Sequence, residues 1–435
     1  MDRVRSAGKR TFSALSIHNY RLWIIGQGIS LSGTWMQSIA QGLLVLHLTG
    51  SGTSLGLVTA LQALPVLFFA PWGGVIADRF PKRRILYLTQ TLSGTVSITL
   101  GILVATGAIR IWMVYALAAC LGALKTVDNP SRQAFVLEMV GKDELINAVS
   151  LNSTEVNMAR VIGPTLAGAL IATSGFALCF ILDGLSYLAV VAMLFAMRRD
   201  QLFPTPLAPR VPGQLRQGFR YVRSSPILAT TLVMMAVIGT FTYEFSVSLP
   251  LFAETTFGQG ASAYAAMSAA MGLGAVVGGL YTASRSPGAP TRLVWGALFF
   301  GVTVLLTAVA PVLPLALLAL VAVGFCSVSF TSLGNATLQL ESVPEMRGRV
   351  MSLWTMAFLG TTPIGGPIIG WVGEHAGPRL ALTIGGVAAF AAAGLGARAF
   401  REAAGRQGGE ESPVVSRQSA VVGRKSEAGS RTISS

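Results

Sequence analysis

Residues 74–84 read Gly74-Val-Ile-Ala-Asp78-Arg79-Phe80-Pro81-Lys82-Arg83-Arg84; they close one long apolar run, 53–77, and lead into another, 85–107. A bilayer core of roughly 30 Å is crossed by about 20 apolar residues in helical form. Backbone polar groups in hydrocarbon must bond to one another, and a helix does this within one segment. The two runs therefore predict a pair of membrane-crossing helices joined by a short basic turn.

Working outward, the same pattern recurs. Twelve apolar stretches are expected, near 22–48, 53–77, 85–107, 111–134, 146–173, 175–197, 227–253, 262–284, 292–311, 314–337, 349–373 and 379–400. They are too long and too continuously apolar for the alternating strands of a membrane β-barrel. Composition agrees: 52% of the 435 residues are hydrophobic, mean hydropathy is +0.63, and only 11% are charged. Soluble domains carry about 25% charged residues. The net charge of +14 would suggest a nucleic-acid partner in a soluble chain. Here the charges are confined to short connections, so topology explains them and no nucleic-acid partner is expected.

Those connections also predict orientation, because lysine and arginine stay on the cytoplasmic side. Arg3, Arg5, Lys9, Arg10 and Arg21 precede the first run, and Arg79, Lys82, Arg83 and Arg84 follow the second. Arg198, Arg199, Arg210, Arg216, Arg220 and Arg223 lie between the sixth and seventh. Arg285, Arg292, Arg347 and Arg349 mark two more connections on that side, against only Arg110 and Arg379 on the other. Both termini are expected in the cytoplasm. The first run is too long for a secretory h-region of about 7–15 residues, so it reads as a retained helix.

The chain repeats itself. At an offset of 206 residues, Gly73 meets Gly279, Arg79 meets Arg285, Cys120 meets Cys326, Asn129 meets Asn335 and Gln133 meets Gln339. At 202–203, Gly163-Pro164 meets Gly366-Pro367, Gly168 meets Gly370 and Ser150 meets Ser352. Two parallel six-helix bundles follow, with a binding site expected between them near mid-membrane. The expected division is a 1–21 N-terminal segment, a 22–197 bundle, a 198–226 basic connection, a 227–400 bundle and a 401–435 tail. The tail has too few apolar groups to fold alone and is read as disordered. The basic connection is expected to lie on the anionic inner leaflet.

The turn at 74–84 resembles the loop signature of the major facilitator superfamily, in the place where that family has it. A closer resemblance, to the enterobactin-exporter-like branch, covers most of 12–400. It rests on Asn19-Tyr20-Arg21-Leu22-Trp23, Gly26-Gln27, Gly33-Thr34-Trp35-Met36-Gln37, Asp128-Asn129-Pro130-Ser131-Arg132-Gln133, Asn157-Met-Ala-Arg160-Val-Ile-Gly163-Pro164 and Arg347-Gly348-Arg349-Val350-Met351-Ser352. The resemblance implies an all-α fold and alternating-access, proton-driven efflux, with proton as counter-ion, of siderophores, drugs or other secondary metabolites. It marks Gly74, Asp78, Arg79, Arg83 and Arg84 as a gating motif. Gly73 and Gly74 allow close helix packing, and Asp78 can cap a helix or pair with an arginine to hold one conformation. The second-half copy has Ser284 in its place, so this latch is expected in one bundle only.

Ionisable side chains inside the spans are the other signal, since each costs at least ~2.5 kcal/mol at the membrane centre. They are Lys125, Asp128, Arg132, Glu155, Arg160, Asp183 and Glu244. Lys125, Asp128 and Arg132 can share a helix face and read equally as a gate cluster or a coupling site. Glu155 and Arg160 are about 140° apart on one helix, so they are not expected to pair. Arg160, with Asn157 on its face, points either to an anionic substrate or to a carboxylate on another helix. Glu244 and Asp183 are candidate proton carriers. Gln27, Trp35, Gln37, Gln41 and Tyr243 are cavity candidates, with interhelical hydrogen bonding the alternative for each glutamine.

Enzyme chemistry finds no support. A GxxxxGK[ST] loop is absent, and Gly52-Thr-Ser54-Leu-Gly56 has no preceding strand to make a nucleophile elbow. Cys120, Cys179 and Cys326 lie in apolar runs away from ligand spacings, and His18, His47 and His375 stand far apart. No metal and no cofactor are expected. The reading is a bacterial inner-membrane transporter of a small molecule, monomeric in the lipid bilayer. Its rivals are an uptake permease or lysophospholipid flippase of the same fold, and a non-transporting membrane sensor.

Overall fold

A computed structural model describes residues 13–141, 143–203, 214–283, 291–343 and 346–402. Among them the chain is helical with no strand. The helices are α1 (His18–Thr49), α2 (Gly52–Arg79), α3 (Lys82–Ala105), α4 (Ile111–Val140), α5 (Leu145–Ser174), α6 (Phe176–Ala196), α7 (Gln214–Ser224), α8 (Pro226–Phe241), α9 (Phe245–Leu251), α10 (Gly260–Ala283), α11 (Thr291–Val309), α12 (Leu313–Glu341), α13 (Arg347–Leu359), α14 (Thr362–His375) and α15 (Pro378–Glu402). Among the described residues ten spans are long and apolar enough to cross a membrane; α1 and the α13–α14 pair pack among them.

Two expected continuous spans are broken. The run at 227–253 stops at Phe241 and restarts at Phe245, then ends in a π-helical turn, Phe252–Thr256. The run at 349–373 breaks at Gly360–Thr361. Neither break removes apolar residues, so hydropathy alone could not reveal them. The expected basic connection contains α7, with Gly218 and Val222 turned inward and Arg220 and Arg223 exposed. Residues 204–213, like the tail from 403, lie outside the described residues.

Glycine sets the internal packing of both halves. A Cβ on Gly73 of α2 would lie 2.1 Å from the Thr126 carbonyl of α4, and one on Gly122 of α4 would lie 2.3 Å from that of Gln62. The α10–α12 crossing repeats this, with Gly274 at 1.8 Å from the Val321 carbonyl and Gly324 at 1.9 Å from that of Met271. Backbones come this close only where no side chain intervenes. Gly74, expected to serve the same end, faces open space.

The N-terminal motif is a clamp at the end where α1 begins, here the near end. Asn19 donates to the Arg198 carbonyl at 2.8 Å and accepts from its N–H at 2.9 Å, tying down the chain after α6. The Tyr20 hydroxyl donates to the Ala148 carbonyl at 2.7 Å, and Trp23 packs edge-on to Phe135.

At the opposite, far end the two halves meet backbone to backbone. A Cβ on Gly56 of α2 would sit 2.2 Å from the Gly366 carbonyl of α14, and one on Gly370 would sit 2.2 Å from that of Gly52. Gly168 of α5 similarly faces Ala265 of α10, and Gly42 of α1 faces Pro250. Toward the near end the facing helices part. Ser153, Thr154 and Met158 of α5, Gln339 of α12 and Thr355 and Met356 of α13 are exposed. The molecule is a V, sealed at the far end and open at the near end.

Replacing Gly56 by leucine should prise the seal apart. In membranes, a thiol placed at Ser246 should be protected from an impermeant reagent on the far side. The Gly56→Leu background should raise its labelling rate several-fold. Equal protection in both would show that the seal does not depend on this crossing.

Candidate functional site

A cavity of about 280 Å³ lies at the apex of the V, with walls from both halves. α1 and α5 bring Trp35, Ser38, Arg160 and Pro164; α9, α10, α12 and α13 bring Phe245, Ser246, Tyr264, Ser268, Ser327, Thr331 and Phe358. Tyr243, in the break between α8 and α9, donates its hydroxyl to the Ser327 carbonyl at 2.8 Å and packs on Phe358 and Phe300. Arg160 lies over the Trp35 ring, 5.2 Å from its centroid. A cation over an indole face is held by the ring quadrupole. Arg160 has no ion pair among the described residues, and its Nε is buried without an acceptor.

Of the cavity candidates, Trp35 and Tyr243 line this space. Gln27, Gln37, Gln41 and Asn157 do not. The three glutamines are buried inside the first half, and Gln41 accepts from Gln62 of α2 at 2.8 Å. Asn157 is turned onto its own helix, donating to the Ser153 carbonyl.

The buried charges divide by surroundings. Asp128 pairs with Arg132 one turn on and accepts from Thr89 at 2.6 Å and Gln90 at 2.9 Å, both on α3. That pairing and those two donors compensate the buried carboxylate. Lys125, on the same helix, has no ion pair among the described residues. Asp183, fully buried, accepts from Ser97 at 2.7 Å and stands against Gly33 of α1. Glu155 reaches α1 beside Gly28, its two oxygens lacking hydrogen-bond donors among the described residues. Glu244 occupies the break between α8 and α9, next to Tyr243 and Phe245 of the cavity wall. Its own side chain turns away, toward Thr362, Gly365 and Gly366 at the break in the facing helix. Gly366 is the residue that meets Gly56 across the far-end seal.

The basic turn is read residue by residue. Arg83 donates to the Leu194 carbonyl at the end of α6 and to the Tyr87 hydroxyl at 3.1 Å. Lys82 pairs with Glu138 of α4 at 3.2 Å. Arg79 and Arg84 are exposed. The side chain of Asp78 lies outside the described residues.

One site was missed in the sequence. Glu374, beyond the apolar span 349–373, accepts from the Thr53 hydroxyl at 2.6 Å, the Thr53 N–H at 2.9 Å and the Ser51 hydroxyl at 2.8 Å. An acid of the second half thus caps the start of α2 in the first, where the helix dipole favours negative charge. The Thr53 and Ser51 donors hold its carboxyl well below the usual carboxylate range, at about 2. Its partner stands more than three hundred residues away, so no local pattern marked it.

Two outcomes follow. A depressed carboxyl contributes above the ordinary carboxylate pKa, and that contribution is lost only as pH falls through about 2. Glu374→Ala should weaken far-side protection of the cavity, and the difference between wild type and variant should stay the same from about pH 8 to about pH 6 and shrink only as pH falls below the ordinary carboxylate range. A difference that vanishes near pH 6 would contradict this assignment. Asp128→Asn should lower thermal stability by about 3–5 kcal/mol, because it strands Arg132. A change below about 0.5 kcal/mol, the usual range for surface substitutions, would show that the pair carries no structural weight.

Among known proteins, a family model described as transmembrane secretion effector matches residues 9–407. The enterobactin exporter EntS of Escherichia coli O1:K1 / APEC is 24% identical over 382 residues, covering 87% of this chain and 88% of that protein. The staphyloferrin A transporter of Staphylococcus aureus (strain NCTC 8325 / PS 47) is 26% identical over 52% of this chain. That alignment spans 57% of the relative's own length. Among solved structures, a bacterial homologue of the lysosomal transporter Spinster, in an inward-facing form, aligns with a TM-score of 0.71 at 14% identity. It covers 88% of this chain and 97% of that one. The nucleoside transporter NupG aligns with a TM-score of 0.66 at 14% identity, covering 89% and 99%. These structures share the fold. The chain is a multi-pass membrane protein and belongs to the transmembrane secretion effector family, transporters of the major facilitator superfamily.

Proposed function

We propose that the protein is a proton-coupled exporter of a small organic anion, working by alternating access across twelve spans with its near end in the cytoplasm of a bacterium. The observation that carries this reading is a cavity walled by both halves at the apex of a V, with Arg160 and five aromatic side chains in its wall. Orientation rests on charge: arginine and lysine crowd the near end, whereas Arg379 at the far end caps the carbonyls of Ala308 and Ala310. Likeness to proteins named as an enterobactin exporter and a staphyloferrin A transporter supports a siderophore or related metabolite as cargo.

Glu244 is the proposed proton carrier. It is buried, sits at one helix break against another, and contacts the glycines of the far-end seal. Neutralising it changes the cost of packing that carboxylate against the seam. Opening is thereby linked to proton uptake or release. In this scheme substrate enters from the near end, and rocking about the seam exposes it to the far side.

A second reading, movement of a lipid-like amphiphile, is favoured by a groove of about 630 Å³ between α10, α11 and α12. Tyr281, Trp295, Phe299 and Phe325 line it, and Trp295 and Phe299 are exposed.

Inside-out vesicles with an imposed proton gradient separate the readings. The panel holds catecholate and carboxylate siderophores, cationic dyes and a fluorescent lysophospholipid. Gradient-dependent uptake of a siderophore should appear in the wild type. Glu244→Gln should abolish its gradient dependence while leaving substrate exchange without a gradient. Full gradient-driven transport by Glu244→Gln would remove Glu244 as carrier, and lysophospholipid movement alone would favour the second reading.

A further inference from the structure

We propose that Arg160 makes the central cavity selective for ligands that carry an anionic group on an aromatic ring, and that it excludes cationic ones. This rests on the cavity being the transport site.

Arg160 is the only charged residue in the described wall. The buried acids that could neutralise it are engaged or turned elsewhere. Asp128 is paired with Arg132, Asp183 faces Ser97 and Gly33, Glu155 faces Gly28, and Glu244 faces Gly365 and Gly366. The cavity thus presents a half-buried positive charge over the face of Trp35, with its Nε buried and without an acceptor. An anion supplies the acceptor that the guanidinium lacks, and a charge-assisted contact of this kind is about twice as strong as a neutral one. A cation meets like charge there.

The remaining walls specify the ring. Trp35, Tyr243, Phe245, Tyr264 and Phe358 surround the space, and aromatic pairs prefer offset or edge-on contact. Ser268 and Thr331 line the same wall and can bond a ring substituent. At about 280 Å³, the cavity is at the small end of ligand pockets, so it takes one ring-bearing acidic arm rather than a whole large molecule. Placement gives the selectivity a consequence. A Cβ on Gly272 of α10 would lie 3.1 Å from the Arg160 carbonyl. The residue that senses the anion therefore also forms part of the contact between the two halves.

The test uses the full-length protein in lipid nanodiscs, with binding read by calorimetry and by Trp35 fluorescence against a Trp35→Phe control. The probes are 4-hydroxybenzoate, its neutral amide and 4-hydroxybenzylamine. The benzoate should bind about tenfold or more tighter than the amide, and the amine should not bind. Arg160→Gln should erase the difference between benzoate and amide; Arg160→Lys should keep part of it. A cooperative thermal transition in each variant confirms folding. Equal binding of amide and benzoate by wild type, preference surviving in Arg160→Gln, or no benzoate binding by folded wild type would each overturn the proposal. No transport step enters the measurement. Failure of the export reading leaves this preference intact, and loss of the preference leaves gradient-driven transport to be judged in vesicles.

Discussion

Everything in this molecule that resembles a machine depends on glycines that let two helix backbones touch across the middle of the protein. Gly52 and Gly56 of α2 meet Gly366 and Gly370 of α14 with no room for a methyl group. Lipid supplies no hydrophobic drive for one helix to join another, so close backbone packing must hold the halves together. Such a contact has no interlocked side chains to disengage. It can part and re-form without repacking a core, as rocking of one rigid bundle against another requires. Glu374 adds a charged cap at the outer rim of the same seam, outside hydrocarbon, where three donors hold it.

The buried charges make sense against that seam. Those within the first half are largely settled: Asp128 with Arg132, Thr89 and Gln90, and Asp183 with Ser97. Each helps fix the shape of one rigid body. Among the groups left with open valences, Arg160 and Glu244 stand where the halves touch, while Glu155 lies against α1 inside the first half. Arg160 turns toward the cavity, and Glu244 turns toward the glycine contact. Substrate and proton would then act on one interface from its two sides, which is the physical content of coupling. The breaks at 242–244 and 360–361 bring Glu244 into that position.

Much of this was legible in the sequence, for particular reasons. Apolar runs interrupted by basic turns specify membrane helices because a bilayer punishes every alternative. Gly168 and its repeat partner Gly370 both stand at close contacts between the halves, whereas Gly279, the partner of Gly73, makes only an ordinary contact. Arg160 stood out because an unpaired cation in a span is expensive. What stayed hidden was tertiary. Thr89 and Gln90 serve Asp128 from about one helix away in the chain, and nothing local says so. The glutamines of α1 carry no mark separating a cavity wall from a helix contact, and the structure puts them at helix contacts. Glu374 looked like an ordinary loop acid, and Asn19 and Tyr20 like a family signature rather than a clamp.

The central claim is that the halves move as rigid bodies about the glycine seam. Spin labels at Ser174 and Gln259 would report the far end, and labels at Ser153 and Thr355 the near end. All four are exposed, and each pair joins one half to the other. Distance distributions in nanodiscs, measured across pH and with bound anion, should contain two populations. As the near-end pair shortens, the far-end pair should lengthen in proportion. Distances that stay single and fixed, or that change in the same direction at both ends, would contradict the account.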